Sequence, residues 1–256
     1  MNHMKKKSLL LILVIILVVS KLYAKLEDEY KCFKLINVAL VNENKQYRVN
    51  QNLSIQTADK QLNNMVSVGL YSGNNQMLKI EDTNESMFVL STQKGNWLYN
   101  KKLKSPIRIG SSWNINNLDI QDVLRIDFEN GYRLSDIVMK EELIDIAHIG
   151  EFIELQRVEK NYLYSYVYFS KYNSDSDDLQ KYIMIFCDKE KKPIKSAIYT
   201  VKSVSNKMCF GYIEIQSYVF NRNVKTTCEI NKIEEIKVPK VLFTASKIQE
   251  LAEYLK

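Results

Sequence analysis

The sequence predicts an α+β protein built on one large curved antiparallel sheet that wraps helices. Three observations carry that reading. Lys25 to Leu40 has helical periodicity. Two long stretches, Tyr47 to Ile109 and Phe152 to Ile236, break into short alternating segments divided by turn residues. Between them, Leu118 to Ala147 turns helical. No Pro/Gly/Ser-rich linker and no repeat of solenoid length interrupts this order, so residues 25–256 read as a single domain.

The chain opens with the basic MNHMKKK, continues in an unbroken apolar run from Leu9 to Val19, and closes with small residues between Ser20 and Ala24. That layout is a secretory signal peptide over residues 1–24, cut after Ala24 or alternatively after Ser20. An uncleaved anchor is the other reading, but the run is well short of the roughly 20 residues that span a bilayer. Lipid attachment is not expected, because the first cysteine, Cys32, lies too far downstream. Four of the 36 basic residues and none of the 30 acidic ones fall in this segment, so the processed chain is near charge +2. With no basic stripe interleaved with aromatics, nucleic acid is not an expected partner.

After the signal segment, Glu27, Asp28 and Glu29 open an amphipathic helix that carries Cys32, Leu35, Ile36 and Ala39. The first meander contains the hairpin around which the chain is read, Met87 to Trp113. A two-residue turn at Lys94-Gly95 would set Gln93 opposite Asn96, Leu90 opposite Tyr99 and Thr92 opposite Trp97. Phe88, Leu90, Trp97 and Tyr99 then share one face, with Ser91, Gln93, Asn96 and Asn100 on the other. In the helical stretch, Asp119 would cap IQDVLRIDF up to Gly131, and Ser135 would cap DIVMKEELIDIA. Strands follow at Phe152–Val158, Tyr162–Phe169, Tyr182–Cys187, Ile194–Val201, Met208–Phe220 and Val224–Ile236. Lys189 to Lys192 reads as a solvated hairpin turn. Residues 172–178, YNSDSDD, read as a plain loop, since the glycine and distant glutamate of an EF-hand are missing. A short terminal helix closes the chain, with Ser246 and Gln249 spaced as a capping box.

Chemistry-bearing motifs are scarce. His148 is the one histidine of the processed chain, so neither a Ser-His-Asp triad nor a multi-histidine zinc site can be built. GxSxG, P-loop and GxGxxG patterns are lacking, and nothing marks out a carboxylate pair. The expectation is a protein without catalysis, cofactor or metal. Cys32, Cys187, Cys209 and Cys228 contain no CxxC pair. They are either buried free thiols or hold one disulfide among the last three. Sixteen tyrosines, including the alternating row Tyr162, Tyr164, Tyr166 and Tyr168, suit either the rim of an apolar cavity or an ordinary sheet face.

Several segments, in order, resemble the LolA-like outer-membrane lipoprotein-sorting family, and the likeness covers nearly all of the processed chain. They are Trp97-Leu98-Tyr99 after the glycine turn, Pro106-Ile107-Arg108-Ile109, and Asp119-Ile120-Gln121-Asp122-Val123. Phe186-Cys187-Asp188-Lys189-Glu190 before Pro193 follows, then Thr226–Ile236 with Pro239 and Leu242-Phe243-Thr244. Phe186 and Cys187 stand where that family often has tryptophan and isoleucine. The resemblance implies an incomplete antiparallel β-barrel with helices across its concave face and an apolar cavity between them. It further implies a periplasmic carrier of lipidated protein or lipid cargo, with inner- and outer-membrane delivery partners. Phe88, Leu90, Trp97 and Tyr99 are the expected ligand-binding face. Arg108 and Arg125 are candidates for the arginine that holds the family's lid closed. The other readings are a non-catalytic envelope module whose concavity is filled by its own side chains, and an envelope enzyme.

Overall fold

A computed structural model describes the backbone of residues 2–37, 39, 45–59, 61–81, 86–110, 113–115, 118–124, 126–128, 130–138, 151–158, 164–172, 179–218 and 224–255, with side chains described for most of these from residue 20 onward. Helix α1 (Asn2–Asn37) leads into a first meander, β1 (Gln46–Gln56), β2 (Leu62–Ser72), β3 (Asn75–Glu81), β4 (Ser86–Thr92), β5 (Gly95–Asn100) and β6 (Ile107–Ile109). A small ladder, β7 (Asn114–Ile115) with β8 (Leu118–Asp119), and the one-turn helix α2 (Ile120–Val123) follow. The second meander is β9 (Tyr132–Val138), β10 (Phe152–Arg157), β11 (Tyr166–Tyr172), β12 (Lys181–Cys187), β13 (Pro193–Val204), β14 (Lys207–Ser217) and β15 (Val224–Ile236). Helix α3 (Ile248–Ala252), flanked by 3₁₀ turns, ends the chain.

Both meanders belong to one curved, unclosed sheet of thirteen antiparallel strands, with β6 and β9 at its edges. The seam is β1 against β15, from Gln46 opposite Ile236 to Gln56 opposite Lys225. Alternation decides which face each residue occupies. On one face, Ile153, Val167, Phe169, Tyr182, Met184, Ala197, Tyr199 and Phe210 pack beneath Leu26, Tyr30 and Phe33 of α1. Val89, Leu78, Leu98 and Leu53 continue that face beneath Ile120 and Leu124. On the opposite face of the first meander, Leu70, Met77 and Leu90 pack against Val238, Phe243, Ile248 and Leu251. The expected fold class is therefore what forms, with helices α1 and α2 across one face and α3 across the other.

Four local expectations are corrected. The hairpin turn is Gln93-Lys94, so Leu90 faces Trp97 and Phe88 faces Tyr99. The Thr92 hydroxyl accepts a hydrogen bond from the Lys94 amide at 3.1 Å, which closes the turn one residue earlier. Gly95 then takes φ +128° with Arg108 packed against it. The helix expected from Ser135 is replaced over Tyr132–Val138 by strand β9, because pairing with β10 overrides local propensity. Tyr164 precedes β11 and lies with Phe169, whereas Tyr168 faces the other way, so the tyrosine row is not one face. No side-chain cap forms at Ser246, which sits inside a 3₁₀ turn that already begins at Ala245. Residues 139–147 of the expected helical stretch, His148 and the loop 173–178 lie outside the described residues.

Candidate functional site

Helix α1 presents Leu26, Tyr30 and Phe33 at helical spacing, and all three are buried against the sheet. Phe33 is 0% exposed and sits at the centre of an aromatic cluster. Its ring centroid lies 4.7 Å from Phe210, 5.3 Å from Phe128, 5.4 Å from Tyr199 and 5.5 Å from both Phe169 and Tyr182. Lys171 of β11 reaches Glu29 at 2.8 Å and pins the polar edge of the helix.

The segment after α2 is tied to α1 through its backbone. Tyr30 Oη donates to the Phe128 carbonyl at 3.2 Å, and Asn37 Nδ2 donates to the Ile126 carbonyl at 3.1 Å. The end of α1 and residues 120–124 and 126–128 thus form one roof. Beneath it lies a cavity of about 110 Å³, lined by Ile36, Leu124, Ile126 and Phe128 from the roof and by Phe186, Phe210, Ile213 and Ile215 from the sheet.

The cavity wall is not wholly apolar: Asn37 and Gln51 line it, and so does an ion pair. Lys195 of β13 and Asp122 of α2 meet at 2.5 Å across its wall, with side chains only 5% and 6% exposed. Among the described residues it is the one ion pair buried on both sides. Tyr199, four residues along the strand on the same face, is raised above the usual tyrosine range by burial, and then by the nearby Asp122 charge. Two thiols also line the cavity. Burial pushes Cys209 up to about 11, and Cys228 up to about 12 with Glu229 adding to the effect. Cys228 Sγ donates to Gln51 Oε1 at 3.4 Å, and Gln51 Nε2 donates to Ser67 Oγ at 3.2 Å. All four cysteines are free thiols, Cys32 exposed and the other three buried, so of the two expectations the unpaired one holds. Among the described residues no group of three His, Cys, Asp or Glu side chains could hold a metal ion.

Phe88, Leu90, Trp97 and Tyr99 do share one face, as alternation requires, and the structure brings them together in one cluster. That face meets the C-terminal helical turns, while their neighbours Val89 and Leu98 point to the roofed side. None of the four lines the cavity. Arg108 sits on edge strand β6 and donates to the Lys94 carbonyl at 3.1 Å, and Arg125 lies outside the described residues. Residue-level reading of the sequence passed over Lys195. The available signal was a lysine at an inward position of PIKSAIY, in register with Ala197 and Tyr199.

No family model and no curated protein matches the chain. Solved structures do. A LolA superfamily protein from Nitrosomonas europaea aligns with a TM-score of 0.62 at 16% identity, over 82% of this chain and 96% of that one. A domain from Vibrio parahaemolyticus named for outer-membrane lipoprotein sorting gives 0.56 at 12% identity, over 83% and 95%. A protein of a domain-of-unknown-function family from Desulfovibrio piger gives 0.54 at 14% identity, over 84% and 96%. At these identities the likeness is one of fold, and the architecture is LolA-like.

Proposed function

We propose that the processed chain is a periplasmic carrier that takes the acyl chains of a lipidated protein, or another apolar lipid, into the cavity between roof and sheet, and that it serves outer-membrane lipoprotein sorting. The observation that carries this reading is the apolar cavity, roofed by α1 and the 120–128 segment, in a fold shared with a domain named for lipoprotein sorting. Such a site needs no catalytic group. Each methylene removed from water contributes about 0.8 kcal/mol, so a long chain is held by burial alone.

As it stands the cavity is too small for that cargo. An apolar cavity of about 150 Å³ holds one benzene, and this one is about 110 Å³. Loading therefore requires the roof to lift. The Asp122–Lys195 pair is the polar tie between α2 and the sheet, and it serves as the latch. Its partners in the roof, the bonds from Tyr30 and Asn37, keep the 120–128 segment on α1, so the two move together. The sheet below stays intact, because β13 is paired on both sides by β12 and β14. Membrane partners at both ends of the route would supply and remove the cargo.

A second reading rests on Phe33. Its ring fills the middle of the concavity, as expected of an envelope module that carries nothing. Mass spectrometry of lipid extracts from protein purified without detergent separates the two. The carrier should hold acyl lipid, or take it up from added vesicles, at close to one per chain. Protein that is lipid-free and refuses vesicle lipid would leave the filled module standing.

A further inference from the structure

The buried ion pair is built asymmetrically, and the asymmetry bears on which lipid the cavity accepts. The cation, Lys195, projects from a strand hydrogen-bonded along both edges, so its position is set by the sheet. The anion, Asp122, belongs to a one-turn helix in the roof. Most of the remaining wall is apolar side chain that an acyl chain could replace, and its other polar groups, among them Asn37 and Gln51, carry no charge. Lifting the roof exchanges those contacts at little loss, but it also carries a carboxylate away from an ammonium that faces an apolar cavity. A buried charge deprived of its partner is strongly unfavourable, whereas one whose partner is replaced by an equivalent group is not.

We infer that the ligand is an anionic amphiphile, an acyl chain ending in a carboxylate or phosphate, whose head group takes the place of Asp122 on Lys195. This rests on the carrier reading above and narrows it. A neutral chain of the same length would bury the same apolar area but leave the exchange incomplete, so the site ranks ligands by head-group charge as well as by chain length. Lys195 then has two alternating partners, Asp122 when the cavity is closed and the ligand anion when it is loaded. Tyr199, on the same strand face and close to the Asp122 charge, stands beside the exchanged anion. The internal carboxylate also competes with cargo, which keeps the empty protein closed.

The test is displacement of a neutral fluorescent apolar probe from the processed full-length chain by oleate, methyl oleate, dioleoylphosphatidylglycerol and dioleoylphosphatidylcholine. One charge-assisted contact should favour oleate over its ester about tenfold or more. In Lys195→Met combined with Asp122→Leu, which removes both charges and so keeps the core satisfied, the ratio should fall to near one while the ester still binds. Asp122→Asn should tighten oleate and its ester alike and leave their ratio unchanged, because the carboxylate that opening must displace is gone while Lys195 remains. A stronger response to phosphatidylglycerol than to oleate identifies phosphate as the natural head group; the reverse identifies a free fatty acid. Equal displacement by oleate and its ester, or a preference that survives loss of Lys195, overturns the head-group assignment while leaving a lipid carrier. Failure of the probe and of every lipid to bind overturns both.

Discussion

Replacing Phe33 with alanine tests the roof and the cavity together. The side chain is fully buried, and its ring centroid lies within 5.5 Å of those of Phe128, Phe169, Tyr182, Tyr199 and Phe210. Deleting a ring from such a site costs about 3–5 kcal/mol in lost burial and residual cavity. For a chain of this length that corresponds to a fall in Tm of roughly 10 °C. The space left behind does not stay isolated, because Phe128, Tyr199 and Phe210 also line the cavity beneath the roof. Acyl ligand should therefore recover part of the loss, and saturating lipid should raise the variant's Tm more than the wild type's. At about one hundred times its dissociation constant a ligand contributes about 2.7 kcal/mol, enough to see by thermal melt. Leu26, Tyr30 and Phe33 all follow residue 24, so the experiment applies equally after cleavage. A loss below about 1 kcal/mol would mean that α1 does not dock in the concavity, and the roof would fall with it.

Three further outcomes are expected. Leu90→Asp buries a charge beneath the C-terminal helical turns, where Leu90 is 0% exposed, and denaturant titration should show loss of the cooperative fold; a folded variant with reduced lipid would instead give Phe88, Leu90, Trp97 and Tyr99 a ligand role. In the native protein at pH 8, thiol reagents should modify Cys32 quickly while Cys209 and Cys228 resist, because burial keeps them protonated. Since their folded values lie above the ordinary thiol value of 9.0, the native state holds its protons longer, so stability should decline as pH rises from 9 through about 11 and 12; a flat alkaline limb in chemical denaturation would refute this. N-terminal sequencing of protein from the cell envelope should begin at Lys25, and recovery of an intact Met1 would argue for a retained anchor.

The strand content was legible because alternation is a local signal. Val224–Ile236 has the same bounds in the sequence and in the structure, and Tyr182–Cys187 is off by one residue. Where the reading failed, a non-local partner decided the matter. Tyr132–Val138 carries a helix-compatible pattern but has β10 beside it. Leu90 and Tyr99 alternate as expected, yet alternation alone does not say which face of a two-sided sheet meets α1 and which meets α3. Alternation therefore groups Phe88, Leu90, Trp97 and Tyr99 on one face without saying that this face packs against the C-terminal turns. The Lys195–Asp122 pair joins positions 73 residues apart. One half of it was visible as an inward lysine, but no periodicity links that lysine to a one-turn helix.

The seam between β1 and β15 has a kinetic consequence. The most extensive pairing of the first strand after its own hairpin is with nearly the last residues of the chain, Gln46 opposite Ile236 at its far end. Contacts of such sequence separation form slowly, because the loop must close before they stabilise anything. Until β15 is available, each meander exposes an unpaired inner edge, the configuration most prone to pair with another chain. The thirteen-stranded sheet cannot be completed during synthesis from the N-terminus. The pairing of the first strand with the last is therefore the step on which completion of the sheet waits.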